Sequence, residues 1–300
     1  MAIHRIGLVL HPVRDTSEQV RAIQRWAEKH ACAVVVRTAD RERAVDGMLV
    51  LDDETFRDTI GGIISIGGDG TMLGALRTVA HAPVPVLGIN MGNLGFLAEV
   101  EPADLPQALE RLVAEDFTIE AHSCLEIAYG AKTEIAFNDV ALCRVPGAGF
   151  VQVAMSVDQR NYGYFRCDAL IVATPTGSTA YSYAAGGPVV SPEAQGMLVT
   201  PASPMAGISR PLFLAAAEEL RLQLMDGGGS PALEIDGAVR EHLDPGEALE
   251  IRWRPDAGLV VRLDAAAHQE RQRLKLSLLD LPLLPEELRE RLPPGPGRIA

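Results

Sequence analysis

A glycine-rich segment around a single acidic residue is the first part of the chain whose residue types can do chemistry. Gly67-Gly-Asp-Gly-Thr71 follows an apolar run and precedes a stretch of helical character, residues 71–80. Glycines let backbone N–H groups approach a phosphate without interference from a Cβ atom, and the N-terminus of a helix attracts anions. The spacing alone is equally compatible with a tight turn in which Asp69 caps the helix. It matches neither the P-loop nor the G-x-G-x-x-G dinucleotide fingerprint.

Two further motifs contain residue types suited to binding a nucleotide. In the segment 88–97, Gly92 and Gly95 indicate a close approach of the backbone, and Phe96 has a ring that can stack on a base or fill the core. Asn138 and Asp139 follow a short apolar run; an amide beside a carboxylate can bind a sugar diol or an adenine amino group. Such a pair alone is also typical of a turn.

A segment dense in small and hydroxyl-bearing residues covers positions 168–188. Buried hydroxyls need hydrogen-bond partners. Either a polyhydroxylated or phosphorylated ligand or the start of a helix would supply them, and the spacing decides between neither. The seven hydroxyls within ten positions are Thr174, Thr176, Ser178, Thr179, Tyr181, Ser182 and Tyr183.

These motifs lie on elements that predict an α/β domain followed by a β-rich one. Short apolar runs without alternation, separated by helical segments, indicate a doubly wound parallel sheet over residues 1–117, where ligands bind beyond the carboxyl ends of strands. Alternating or β-branched runs between turn residues predict a sandwich-like β domain over residues 118–265. The apolar, proline-rich tail, 266–300, is expected to pack back on the first domain, with a frayed terminus as the alternative.

Taken together, the four motifs resemble those of NAD kinases, in the same order and over nearly the whole chain, residues 6–263. The resemblance implies Mg-ATP-dependent transfer of a phosphoryl group to the 2′-hydroxyl of the adenosine ribose of NAD; some members also use polyphosphate. Lipid kinases of the diacylglycerol type carry a similar glycine-rich motif, so a lipid kinase is one alternative. A non-catalytic NAD(P)-binding protein is the other.

The same resemblance assigns roles to residues of this chain. Asp69 is expected to accept the proton of the ribose hydroxyl, and since an aspartate is a weak base, its alignment is expected to matter more than its basicity. The residues expected to line the transferred phosphates are Gly67, Gly68, Gly70 and Thr71. The residues expected to contact NAD are Asp69, Gly70, Phe96, Asn138, Asp139, Arg166, Asp168, Thr179, Ala180, Tyr181, Ser182 and Ala184.

Three positions depart from the family pattern. Ala169 stands where a glycine is usual, and Ala238 replaces the glutamine of an Asp-Gly-Gln turn. Met205 lies in a loop that usually carries a histidine and a threonine. These departures bear on the role of that loop, on donor preference and on affinity, and they leave Asp69 unchanged.

Composition limits the partners. The chain has 300 residues and a net charge of −13, because 27 lysines and arginines face 40 aspartates and glutamates. Binding to nucleic acid or to an anionic membrane is therefore not expected. The first residues lack the apolar core of a signal peptide, so we expect a cytoplasmic protein. With no lysine in any motif, the charge of the nucleotides must be offset by backbone amides, a few arginines and a divalent ion, expected to be Mg²⁺. The family resemblance implies a homodimer or homotetramer.

Overall fold

Residues 4–92, 95 and 97–269 are described by a computed structural model of the chain. Their contacts divide them into two units. The first takes in the residues up to Ala121 and those from Gly258 onward, and the second comprises His122–Ala257. Each unit is described by itself below.

The first unit contains a parallel sheet built from the apolar runs of the N-terminal part of the sequence. Its strand order is β3-β2-β1-β4-β5-β18, and every neighbouring pair is parallel. Strands buried on both faces need no polar alternation, which is why these runs are continuously hydrophobic. The strands are β1 (Arg5–Leu10), β2 (Ala33–Arg37), β3 (Leu49–Leu51), β4 (Gly62–Gly67), β5 (Pro85–Asn90) and the end of β18 (Ala248–Arg262).

α-Helices connect or flank these strands. Apolar residues of α1 and α4 pack with those of the sheet in one core, which includes Leu8, Ile23 and Leu109. The helices are α1 (Ser17–Lys29), α2 (Asp53–Thr59), α3 (Asp69–Val79) and α4 (Leu105–Val113), and short 3₁₀ helices cover Thr38–Arg43 and Pro102–Asp104.

The second unit is almost entirely β structure and contains two groups of strands. One runs in the order β13-β10-β9-β15-β18, with β6 pairing both β18 and β7; the other runs β14-β12-β11-β8-β16-β17. The bounds are β6 (Thr118–Tyr129, which starts in the first unit), β7 (Lys132–Ala136), β8 (Asp139–Cys143), β9 (Val151–Val157), β10 (Arg160–Cys167), β11 (Ala169–Ala173), β12 (Gly196–Ala202), β13 (Ala206–Gly207), β14 (Leu212–Ala215), β15 (Leu220–Leu224), β16 (Ala232–Ile235) and β17 (Ala238–His242).

Alternation along these strands explains their burial. In β9 every second side chain from Val151 to Val157 is buried, and the same holds for β15. Residues from both groups of strands, among them Met155, Val172 and Leu233, form one hydrophobic core. The helical structure in the described part of this unit is brief: a 3₁₀ turn, Thr176–Thr179, and α5 (Tyr181–Ala184).

The predicted order, an α/β part followed by a β-rich part, is confirmed. The helix after the glycine-rich motif begins at Asp69, two positions before the predicted start. Most of the predicted tail, 266–300, lies outside the described residues. In the described part of the chain, no helix has the length and apolar character that crossing a membrane requires.

Candidate active site

Asp69 occupies the first position of α3, and only Gly68 separates it from the end of β4, a strand that is buried throughout. Gly68 precedes the helix in an extended conformation, and its carbonyl accepts hydrogen bonds from the N–H groups of Thr71 and Met72. The first amides of a helix lie outside its internal hydrogen bonds and favour a negative charge nearby. The sequence therefore places a carboxylate and an anion-attracting helix end at one point of the first unit.

Backbone groups from a distant segment hold the carboxylate of Asp69. Its Oδ1 accepts a hydrogen bond from the Leu97 N–H at 3.0 Å and a longer one from the Ala98 N–H at 3.4 Å. Gly95 also adjoins the carboxylate, since a Cβ atom built on it would lie 1.9 Å from the same oxygen. Only glycine fits at position 95 without displacing the carboxylate. The close approach that Gly95 predicted is therefore an approach to Asp69.

The predicted phosphate-lining residues differ in what surrounds them. Among the described residues, no atom lies within 4 Å of a Cβ added at Gly68 or at Gly70, so these residues leave the space beside both glycines open. Gly67 is buried, and a Cβ there would lie 2.1 Å from the hydroxyl oxygen of Thr71, which is itself buried. The absence of a side chain at Gly67 is thus required by packing, whereas Gly68 and Gly70 leave backbone accessible.

The segment after β5 is fixed by small residues and by one arginine. Gly88 packs against Ala98, since an added Cβ would come within 2.9 Å of the Ala98 Cα. Gly92 adjoins the guanidinium group of Arg14, which donates a hydrogen bond to the carbonyl of Met91. Gly92 therefore accommodates an arginine of the same unit. Phe96, the residue predicted to stack on a base, lies outside the described residues.

In the second unit, Asn138 and Asp139 lie where the chain passes from β7 into β8. The carboxylate of Asp236 anchors this turn: its Oδ1 accepts the N–H of Asn138 at 2.7 Å and that of Asp139 at 3.2 Å, and its Oδ2 accepts the N–H of Phe137 at 3.1 Å. Asp236 itself has a positive φ of 45°. The Asn138–Asp139 pair therefore lies in a turn, which is one of the two interpretations that the sequence allowed. The hydrogen bonds to Asp236 fix this turn.

Asp139 is almost completely buried, with 4% of its surface exposed. This burial, followed by the nearby charge of Asp236, raises the pKa of Asp139 to about 7, although a hydrogen bond from the backbone of Tyr181 acts in the opposite direction. A carboxyl group with such a pKa can be present in both protonation states near neutral pH. Asp139 is therefore able either to donate or to accept a hydrogen bond.

Most hydroxyls of the dense segment have partners within the protein. Thr174 donates to the carbonyl of Phe137 at 2.7 Å, Ser178 accepts from the N–H of Val190 at 3.0 Å, and Ser182 bonds Thr200 at 2.8 Å. Thr174, Ser178 and Ser182 are fully buried. The hydroxyl groups of these three side chains therefore have hydrogen-bond partners within the protein and do not need a ligand to supply them.

The segment's remaining predicted residues are more accessible. Tyr181 is 37% exposed, and its hydroxyl lies 3.7 Å from the sulfur of Cys143. Ala184 is exposed, and Thr179 and Ala180 are half-buried. Gly177 lets this segment pass the Asn138–Asp139 turn, since an added Cβ would lie 2.0 Å from the Asn138 carbonyl oxygen. Residues from the third and fourth motifs are thus brought together in the second unit.

Arg166 and Asp168 contact other residues of the second unit. The guanidinium carbon of Arg166, in β10, lies 3.8 Å from the centre of the Phe150 ring, a cation–π arrangement. Its Nε is buried without a hydrogen-bond partner among the described residues. Asp168 forms an ion pair with Arg144 at 2.8 Å.

Three comparisons with known proteins identify the family. Models of the ATP-NAD kinase N-terminal and C-terminal domains match residues 6–117 and 137–263. An NAD kinase of Mycobacterium tuberculosis is 32% identical over 93% of this chain and 97% of its own length. The chain belongs to the NAD kinase family.

Solved structures from the family share the fold. The yeast NADH kinase complexed with NADH has a TM-score of 0.81 at 21% identity, covering 95% of this chain and 89% of its own. An NAD kinase from Archaeoglobus fulgidus in complex with ATP has a TM-score of 0.67 at 24% identity, covering 88% and 95%. The family predicted from the four motifs and the fold predicted from the hydrophobic runs are both confirmed, and a lipid kinase is not favoured.

Sequence reasoning missed several residues that support these sites. Asp236 was noted only as part of a turn, and Leu97 and Ala98 were not considered as donors. Arg262 lies in Leu259-Val-Val-Arg-Leu263, a run whose apolar residues predict a β-strand. The charge of this residue within an apolar run was the signal in the sequence, since a charged side chain needs partners when it is buried.

The three positions that depart from the family pattern lie in the second unit. Ala169 and Ala238 begin β11 and β17, and Met205 is 55% exposed.

Proposed function

We propose that this chain is an NAD kinase in which Asp69 accepts the proton of the adenosine ribose 2′-hydroxyl. The observation that carries the proposal is the position of Asp69: the start of a helix, between two glycines beside open space, with its carboxylate held by backbone amides. The family to which the chain belongs supplies the reaction, in which ATP phosphorylates NAD to NADP.

The proposed step is one in-line displacement. The 2′-oxygen forms a bond to the γ-phosphorus of ATP, the bond from that phosphorus to the bridging oxygen breaks, and ADP leaves. The hydroxyl proton passes to Asp69. Phosphoryl transfer depends mainly on positioning and charge stabilisation. Accordingly, the open backbone at Gly68 and Gly70 and the start of α3 receive the phosphates, and the bonds from Leu97 and Ala98 fix the direction of the Asp69 carboxylate.

Magnesium enters this proposal as part of the Mg-ATP substrate. Among the described residues, no group of three or more histidine, cysteine, aspartate or glutamate side chains is arranged to hold a metal ion. Phosphate oxygens are the usual ligands of Mg²⁺ in nucleotide-using enzymes, so we assign the ion mainly to the phosphates of ATP. When bound, the ion neutralises the charge of the phosphates. Polyphosphate remains the alternative donor.

NAD recognition is assigned to the second unit's two motifs together with Arg166, Asp168 and, in the first unit, Asp69, Gly70 and Phe96. Asn138, Asp139 and Tyr181 are the side chains with suitable groups around the turn that Asp236 fixes. Because the hydroxyl of Ser182 is used internally, we assign that residue, like Ala180 and Ala184, a backbone or packing contact. We further infer a cytoplasmic homodimer or homotetramer, from the composition and the family resemblance.

Asp69→Asn tests the proposal. Asparagine keeps an oxygen that can accept the Leu97 N–H, but it cannot take up the proton. We expect kcat for NADP formation to fall by roughly a hundredfold or more, the scale of a lost general base, while the Kd for NAD, measured calorimetrically, stays within about twofold. Asp58→Asn, an exposed position in α2, is the matched control and should leave kcat unchanged.

Three results would contradict the proposal. Wild-type turnover in Asp69→Asn would remove the assigned role of Asp69. Phosphorylation of diacylglycerol and not of NAD by the unmodified protein would favour the lipid kinase. NAD binding without turnover in the unmodified protein would favour the non-catalytic alternative.

A further inference from the structure

One peptide group in the first unit lies between the Asp69 carboxylate and a buried arginine. The carbonyl oxygen of Leu97 accepts a hydrogen bond from the Arg262 Nη1 at 2.7 Å. The N–H of the same peptide group, which belongs to Ala98, points to the Asp69 Oδ1 at 3.4 Å. The neighbouring Leu97 N–H makes the shorter bond, at 3.0 Å. Arg262 and Asp69 thus contact opposite ends of one peptide unit.

Arg262 is so deeply buried that its guanidinium group needs hydrogen-bond and ion-pair partners. Its side chain is 2% exposed, and it lies at the end of β18. Its Nε donates to Glu120 at 2.5 Å, and its Nη1 is 3.5 Å from an oxygen of Glu99. His268 contacts the same two glutamates, at 3.1 Å from Glu99 and 3.2 Å from Glu120. An isolated buried charge is costly, so these four side chains stabilise one another as a set.

Glu99 connects this set to the backbone on both sides. It follows Ala98 directly in sequence, and its Oε1 accepts the N–H of Leu263 at 3.0 Å. Burial alone would raise its pKa, but the hydrogen bond from His268 and the charge of Arg262 outweigh it, so that the pKa of Glu99 lies below its usual value. The carboxylate is therefore charged at neutral pH and binds the arginine as an ion.

The segment between these groups has little freedom to move. Leu97 and Ala98 are 5% and 3% exposed. Ala98 packs against Gly88, and Val100 pairs with Ile89 in a parallel bridge. A guanidinium group bound to a carbonyl also polarises the amide, which strengthens the hydrogen bond that its N–H donates. Arg262 thus acts on the Asp69 carboxylate through both position and polarisation.

We propose that Arg262 is a positioning residue for phosphoryl transfer, which holds the Leu97 carbonyl so that the N–H groups of Leu97 and Ala98 align the Asp69 carboxylate. Glu99, Glu120 and His268 keep Arg262 in place. The proposal rests on the proposed function, because it assigns Arg262 an effect through Asp69. It differs from a purely structural role, in which the four buried groups would stabilise the fold without any specific influence on turnover.

Arg262→Lys is the main variant. Lysine keeps the positive charge but lacks the fork that reaches the Leu97 carbonyl and the two glutamates at once. We expect kcat to fall by roughly tenfold or more, on the principle that a small misplacement of a catalytic group costs up to about a hundredfold. KM for NAD and for ATP should stay within about twofold. Arg221→Lys, in an exposed pair with Glu250, is the matched control and should behave as wild type.

Glu120→Gln is the second variant, for use if Arg262→Lys does not fold. Glu120 is partly exposed and bonds the Nε of Arg262. Its replacement keeps the shape of the side chain and removes the charge that holds the arginine. We expect the same separation of effects, a several-fold lower kcat with unchanged KM values, with folding verified by the thermal transition.

A double-mutant cycle with Asp69→Asn separates positioning from other roles. If Arg262 acts through Asp69, Arg262→Lys should change kcat by less than about twofold when Asp69 is already asparagine, because residues that act as a unit are not additive. The same fold loss in both backgrounds would overturn the proposal, as would unchanged kcat in Arg262→Lys and Glu120→Gln. Wild-type turnover in Asp69→Asn would instead overturn the proposed function, and this proposal with it.

Discussion

Replacing Gly95 by alanine is expected to displace the Asp69 carboxylate while leaving the fold intact. The added Cβ would lie 1.9 Å from the Asp69 Oδ1 and 2.7 Å from its Oδ2. Ordinary contacts of this kind begin at 3.4 Å. The carboxylate is the end of a flexible side chain, so it would yield before the backbone does, by about 1.5 Å if only the Oδ1 contact is relieved.

The magnitude follows from that movement. A misplacement of about 1 Å in a catalytic group can cost about a hundredfold in rate. We therefore expect kcat of Gly95→Ala to fall about a hundredfold, which corresponds to about 2.7 kcal/mol in the activation barrier. Weakening the hydrogen bonds from Leu97 and Ala98 should lower the free energy of unfolding by only about 1 kcal/mol. A large loss of rate with a small loss of stability is the expected pattern.

The assay is steady-state NADP formation with saturating NAD and Mg-ATP, together with a thermal melt of the same protein. Gly74→Ala is the matched control, because Gly74 lies inside α3 and its nearest neighbour to an added Cβ is the Arg77 Nη2 at 3.9 Å. That substitution should stabilise the helix by about 0.5–1 kcal/mol and leave kcat unchanged.

The reasoning would be refuted if Gly95→Ala turned over NAD at the rate of the wild type while folding normally. Asp69 would then either not need its observed alignment or not be the proton acceptor. The Asp69→Asn measurement separates these two cases, since a strong loss there leaves only the alignment in question.

Two further predictions concern pH and metal. Burial, and then the charge of Asp236, raise the pKa of Asp139 to about 7 in the folded protein, above the value of about 3.9 usual for an unfolded chain. The stability that protonated Asp139 contributes is complete below about pH 4 and is lost as the pH rises through 7. The Tm of Asp139→Asn should therefore rise relative to the wild-type Tm between pH 5 and 8, by roughly 2–4 °C for each kcal/mol of unfolding free energy that the wild type loses. A Tm difference that stays constant over this pH range would contradict the prediction. Excess chelator should abolish NADP formation and added Mg²⁺ should restore it, because the motifs contain no lysine to offset the phosphate charge; full activity in chelator would refute the role of the ion.

The sequence predicted the two-part fold because its hydrophobic patterns are local. Continuous apolar runs such as residues 62–67 became buried parallel strands, and the alternating run around Val153 became a strand of the β-rich unit. The start of α3 was misplaced by two residues. The pattern located the first apolar turn of the helix, whereas the observed helix already includes Asp69 and Gly70.

The candidate site was predicted in part. Asp69, Gly68, Asn138 and Asp139 were selected from motifs whose residues are adjacent in sequence. The residues that hold Asp69, Asn138 and Asp139 by hydrogen bonds were not selected, because they are distant from them in sequence. Asp236 is separated by 98 positions from Asn138, whose N–H it accepts. No local pattern joins two such residues.

By itself, therefore, the sequence determined which residues are candidates for the chemistry and the type of element on which most of them lie. Backbone preference and burial periodicity act over a few residues, so both can be read along the chain. The tertiary structure decided what the two glycines Gly92 and Gly95 serve: one makes room for Arg14 and the other for Asp69. It also brought Arg262 to the carbonyl of Leu97, 165 positions away. Such pairings depend on the path of the whole chain, because a buried charge is tolerated only where the fold supplies its partners.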